Sequence, residues 1–139
     1  MKRERAESGQ ALVEFSLTIV IFMILVLGVV DVGRAVWNYN TLANATREGT
    51  RYAIVHGSAS SAPSGPAAND ASVRAAVAKY ASGLSSGNLT TTSTWLDGSN
   101  GAGARVKVTT SYRFNSIFSS LLGIAPFTMT SSSTMSITN

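Results

Sequence analysis

Gly9-Gln10-Ala11-Leu12-Val13-Glu14-Phe15 opens the stretch that decides the fold of this chain. A glycine closes a charged leader, and a lone glutamate follows five residues later. From Phe15 to Val30 there is no charge and most residues are apolar. Counted from Ala11, the run is about 20 residues, enough to cross a bilayer as a helix at about 1.5 Å per residue. Val13, Ile19, Val20, Ile21, Ile24, Val26, Val29 and Val30 are β-branched and would favour a strand in water. The length of the run decides for a helix. A carboxylate at the start of a membrane-type helix is expensive, which points to a task for Glu14.

Before this run, Met1 to Gly9 form a polar leader with Lys2, Arg3 and Arg5 against Glu4 and Glu7. The basic leader belongs in the cytoplasm, although Arg34, Arg47 and Arg51 on the far side blur the signal. After the run the helical pattern continues. Val32, Ala35, Val36, Tyr39, Leu42, Ala43, Thr46, Gly49 and Ala53 recur at three- and four-residue steps as a narrow, small-residue stripe. Asp31 with Arg34, and Glu48 with Arg51, are i,i+3 pairs expected on the exposed side. No proline occurs before Pro63. The pattern predicts one helix from about Gln10 to about Val55, roughly 70 Å long. Gly28, Gly33 and Gly49 each weaken it by up to about 1 kcal/mol where water reaches them, and mark places for a bend or a close neighbour.

The remainder reads as a small α+β unit. Ser58 to Ala68 (SASSAPSGPAA) is a loop by composition. Asn69 or Asp70 caps a second helix over about Ala71 to Ser82, with Val73, Ala76, Val77, Tyr80 and Leu84 on its apolar face. Asp70 and Arg74 are spaced to pair, and Gly83 fits the stop. Leu89 to Leu96 is a threonine-rich strand, and Asp97 to Gly103 is a turn. From Ala104 to Phe114, Val106, Val108, Thr110, Tyr112 and Phe114 alternate with Arg105, Lys107, Thr109, Ser111 and Arg113. That is the pattern of a half-buried antiparallel strand. Ile117, Phe118, Leu121 and Leu122 suggest an apolar connector with one helical turn. After Pro126, Phe127, Met129, Met135 and Ile137 share one face of a last strand. The expected architecture is a long helix, a short second helix and a three-stranded antiparallel sheet packed on both. The expected organisation is a leader over 1–9, a transmembrane and assembly helix over 10–30, and a domain outside the cytoplasm over 31–139.

Composition narrows the chemistry. The 139 residues suit about one domain, and the absence of cysteine removes disulfides, thiolate metal sites and a cysteine nucleophile. The net charge is +4, yet only 13% of residues are charged, and the basic ones are scattered, so no nucleic-acid patch is expected. His56 is the sole histidine and sits at a helix end, where capping is the simpler role. Asp70 and Asp97 are the only carboxylates after Glu48, so no acid pair is suggested. The Asp97–Gly103 loop resembles a calcium loop only faintly, because the other acidic ligands are missing. No catalytic residue, metal site or cofactor is expected.

Glu14 has two readings. It can simply sit at the membrane interface, about one turn into the helix. Alternatively it has a specific partner. If the chain is cut after Gly9, the new amine of Gln10 lies close to the level of Glu14. Staggered side-by-side packing would then pair one subunit's Glu14 with another's amine. An ion pair in apolar surroundings is costly unless satisfied, so it would favour one register over others.

The segment from Gly9 to Val55 closely resembles the TadE-like pseudopilin family of the tight-adherence (Tad/Flp, type IVb-like) pilus system. The resemblance rests on Gly9 and Ala11 to Phe15, on Asp31, Gly33 and Arg34, and on Arg47, Glu48, Gly49, Arg51 and Tyr52. Thr46 and Thr50 stand where the family often carries alanine. It covers about a third of the chain. The aromatic strand, proline and threonine-rich strand from Tyr112 to Met135 fit the family more loosely. The resemblance implies a pilin-like fold and a single-pass protein of the bacterial inner membrane. Its N-terminus would be cytoplasmic and its C-terminal domain periplasmic or extracellular. It further implies cleavage between Gly9 and Gln10 by a prepilin peptidase, with Glu14 as the assembly glutamate followed by Phe15. The implied partners are that peptidase, other pilins and pseudopilins, the Tad inner-membrane assembly proteins and membrane lipid. In that role the chain is a substrate and a minor pilus subunit, and not an enzyme.

Three other readings are open. A major filament subunit would differ in abundance, which imaging of filaments decides. A surface domain behind an ordinary signal sequence is disfavoured by Glu14 inside the run and by the lack of a clean A-x-A site after it. A membrane-anchored enzyme is disfavoured by the empty site inventory.

Overall fold

A computed structural model of the chain describes residues 2–117, 123 and 125–138. Helix α1 spans Lys2–Val55, 54 residues, and is about 80 Å long. It has no interruption at Gly9 or between Val30 and Val36. It begins well before Gln10, so the leader is helical too, and no proline opposes its propagation. Helix α2 spans Ala71–Tyr80, two residues short of the expected end. A 3-10 turn over Ser86–Asn88 leads into strand β1, Leu89–Trp95. Strand β2 is Arg105–Phe114 and strand β3 is Phe127–Ser136. The sheet has the order β1-β2-β3 with both pairings antiparallel. Of the expected apolar connector, Phe118, Leu121 and Leu122 lie outside the described residues.

The sheet and α2 pack on the C-terminal half of α1. Ala45, Ala53, Val73, Val77, Ala81, Trp95, Val106, Val108 and Ile137 form the main buried cluster. Leu42, Tyr112, Phe114 and Met129 form a second one nearer the membrane-type half of α1. The alternation expected for β2 is realised in full, with Val106, Val108, Thr110, Tyr112 and Phe114 buried. In the last strand Met129 is buried, as is Ile137 just beyond it, while Phe127 remains half exposed.

The inward stripe of α1 differs in phase from the expectation at its upstream end. Val32, Val36 and Tyr39 are exposed, and the buried positions are Asp31, Leu42, Ala45, Thr46, Gly49, Thr50 and Ala53. Small residues dominate because α2 comes close. A Cβ placed on Gly49 would collide with Cγ2 of Val77. Thr46 and Thr50, both fully buried, donate their hydroxyls to the carbonyls of Leu42 and Thr46 at 2.7 and 2.8 Å. That local bonding lets two threonines occupy a buried helix face that alanine would also fit.

The two sequence-predicted loops meet. Asn100 Nδ2 donates to the carbonyl of Ser64 at 3.1 Å, and Ser58 N donates to the carbonyl of Asn100 at 2.9 Å. Asp70, not Asn69, caps α2, accepting from the backbone N–H groups of Ser72 and Val73. It also accepts from Gly65 N at 2.8 Å and from the Ser72 hydroxyl. The expected Asp70–Arg74 pair does not form, since these donors occupy the carboxylate.

Candidate assembly interface

The helical geometry fixes how the N-terminal residues stand to one another. Gly9, Gln10, Glu14 and Phe15 all lie on α1 and all are exposed. Gln10 and Glu14 are four residues apart, so they share a face, separated by about 6 Å along the axis. Phe15 is 63% exposed beside them. A Cβ on Gly9 would meet nothing within 4 Å, so nothing in the fold requires glycine at that place. The Glu14 carboxylate has no partner among the described residues, while its backbone carbonyl accepts from the Thr18 hydroxyl at 2.8 Å. Ser16 likewise donates to the carbonyl of Leu12 at 2.7 Å. The polar groups of this stretch are thus internally satisfied except for the glutamate and the side chain of Gln10.

The apolar half of α1 is bare. Its most apolar window has mean hydropathy 2.7 and none of it is buried by the rest of the chain. Leu25, Val29, Val32 and Val36 continue one exposed seam beyond the charge-free run. A helix that is hydrophobic all round belongs in lipid or against other helices.

At the junction between this half and the folded domain lies a contact that the sequence pattern missed. Asp31, expected on the exposed side, is only 6% exposed. Arg34 Nη1 donates to its Oδ1 at 2.9 Å, and the same guanidinium lies 5.5 Å from the ring centroid of Phe114. The pair therefore ties the end of β2 to α1 where the charge-free run ends. An acidic residue bordered by Val30 and Val32 was the available signal. The Glu48–Arg51 pair expected one level higher forms no salt bridge.

Two further features occupy the domain. A groove of about 540 Å³ between α1 and α2 is lined by Arg51, Tyr52, His56, Lys79 and Tyr80 among others. In it the His56 ring stacks on Tyr52 with centroids 3.9 Å apart. His56 Nδ1 lies 2.9 Å from the Tyr52 carbonyl, so that nitrogen carries the hydrogen. In the faintly calcium-like loop, Asp97 is bound by Arg105 through Nε at 3.1 Å and Nη2 at 2.8 Å. Those bonds hold its carboxyl down at about 2. Among the described residues no group of three or more His, Cys, Asp or Glu is placed to hold a metal ion.

Residues 9–51 match the family of TadE-like proteins. The match is confined to α1, covering the exposed apolar half, the Asp31–Arg34 contact and the small-residue surface under α2. No curated protein and no solved structure matches the chain. The TadE-like segment is thus one continuous helix, half bare and half built into a domain.

Proposed function

We propose that this chain is a TadE-like minor pilin, anchored by α1 and assembled through it into a Tad adhesion pilus. The observation that carries the reading is the bare apolar half of α1, with a Glu14 carboxylate that has no partner among the described residues, about one turn from Gln10. On this reading a prepilin peptidase cuts between Gly9 and Gln10. Removing the leader takes away the charges that hold the N-terminus at the cytoplasmic face. The new amine then meets Glu14 of a neighbouring copy or a related pilin. In an apolar surrounding that pair selects one stagger, because any other leaves two charges unsatisfied. Phe15 supplies apolar contact beside it, and the seam from Leu25 to Val36 extends the apolar packing from about 16 to about 33 Å further along the helix. The exposed Gly9 fits a backbone that an enzyme must approach closely.

Glu14→Ala and Glu14→Gln test the pairing, with crosslinking to pilus partners and N-terminal mass as readouts. Both variants are expected to be cut and membrane-bound yet absent from assemblies. The glutamine keeps the shape and loses the charge. Normal assembly of Glu14→Ala would refute the pairing.

A further inference from the structure

Strand β3 is an edge strand, and among the described residues no backbone group bonds to its free edge. The ladder pattern shows which backbone groups lie there. Ile137 N donates to the carbonyl of Ala104, Gly103 N donates to that of Ile137, and Leu96 N donates to that of Arg105. With the observed registers, the antiparallel alternation turns Met129, Ser131, Ser133 and Met135 toward β2. It turns the N–H and C=O groups of Thr128, Thr130, Ser132, Thr134 and Ser136 outward. All five of these residues are exposed. No backbone bond from them to another part of the chain exists among the described residues. The opposite edge is not left open in this way, since Asn69 N donates to the carbonyl of Ser93 in β1 at 3.1 Å. Proteins blunt open edges with lysine, proline or bulges. FTMTSSSTMS contains no charge and no proline.

The sequence of β3 also reads nearly the same in both directions. About Ser132, Ser131 mirrors Ser133, Thr130 mirrors Thr134, Met129 mirrors Met135, and Thr128 mirrors Ser136. One step further out, half-exposed Phe127 mirrors Ile137. A strand that meets its own copy antiparallel places each residue opposite its mirror position. Here that sets methionine on methionine and threonine on threonine, with no like charges opposed.

We infer that the β3 edge binds the β3 edge of a second copy of this chain, antiparallel and centred on Ser132, making one six-stranded sheet. The two-fold axis stands normal to the sheet, and α1 lies against the sheet's inner face. The rotation therefore reverses α1, and the two apolar helix halves point in opposite directions. Two copies anchored side by side in one membrane cannot pair in this way. Copies presented by opposing surfaces or by antiparallel filaments can. That last consequence rests on the anchoring proposed above, whereas the pairing itself does not.

The chain has no cysteine, so single thiols can map the register. The full chain in detergent micelles is oxidised mildly after each substitution, and disulfide-linked dimer is measured. In the inferred pair the two Ser132 Cα atoms lie about 5.5 Å apart, within disulfide range. Ser132→Cys alone should therefore crosslink. The two Thr128 positions are about 27 Å apart at about 3.4 Å per residue, so Thr128→Cys alone should not. Ser136→Cys alone should not either, but a mixture of the two should, because they are mirror positions. Adding Thr130→Pro to Ser132→Cys removes an outward N–H and leaves the backbone ladder to β2 in place, giving up only the exposed Thr130–Ser111 hydroxyl contact of 3.1 Å. Adding Thr130→Lys with Thr134→Lys opposes like charges and keeps the fold by a second route. Each should lower dimer yield about tenfold or more, a loss of about 1.4 kcal/mol of pairing. Absence of the Ser132→Cys dimer, equal crosslinking by all single variants, or yields indifferent to both edge changes would overturn the inference.

Discussion

Single residues set how closely the elements approach. Gly49 is the contact point of α1 with α2, and Val77 fills the space a side chain would take. Gly49→Ala raises helix propensity by about 1 kcal/mol, but a β-branched neighbour cannot step aside freely. Overpacking should win, with a net loss on the order of 1–2 kcal/mol read from urea unfolding of the full chain in detergent. Asp70 acts differently. Burial pushes its carboxyl up, while the Ser72 hydroxyl and the N–H groups of Gly65, Val73 and Ser72 outweigh that and hold it below the usual range. Its folded value lies below its unfolded one, so its contribution is present above about pH 4 and is lost as pH falls through the folded value. Asp70→Ala should cost about 1–2 kcal/mol near neutral pH and should flatten the fall in stability below about pH 4. Urea midpoints across that range check both. Asp70 as a cap was legible in the sequence, as one of two candidates. Its reach to Gly65 was not, because that bond joins a loop whose path no periodicity reports.

At the scale of elements, hydrophobic period proved more readable than phase. The unbroken run of α1 to Val55, the three antiparallel strands and the inward face of β2 all follow from spacing alone, whereas the helical leader does not. The face that α1 buries does not. Val32, Val36 and Tyr39 look like core residues, yet they are exposed and extend the bare seam. Asp31 looks solvated, yet it is buried beside Arg34 and Phe114. Hydropathy cannot separate a surface that packs within the chain from one that packs on lipid or on another helix. For the bare half of α1 the consequence is direct. Charges placed at Ile21 and Ile24 should each meet a penalty of about 2.5–3.5 kcal/mol in the bilayer centre. The double variant is expected to leave the membrane fraction on carbonate washing, and its retention there would assign anchoring to another segment.

As a whole, the molecule is a small domain mounted on the upper half of one helix whose lower half is bare. The Asp31–Arg34 pair, lying over Phe114, fastens the two where the charge-free run ends. The family match, residues 9–51, runs across this division and stays within α1. The candidate site was legible in the sequence as a glycine, a glutamate and an apolar run in fixed order. The partner proposed for it was not, because spacing within one chain does not report a contact with another. The central claim is that Gln10 begins the assembled protein, one turn below Glu14. Intact-mass analysis of the protein purified from its native membranes or filaments tests it most directly. The account predicts a chain starting at Gln10, with Glu14 as the fifth residue. A chain still starting at Met1, or one cut beyond Val30 as an ordinary secretory signal would be, contradicts it.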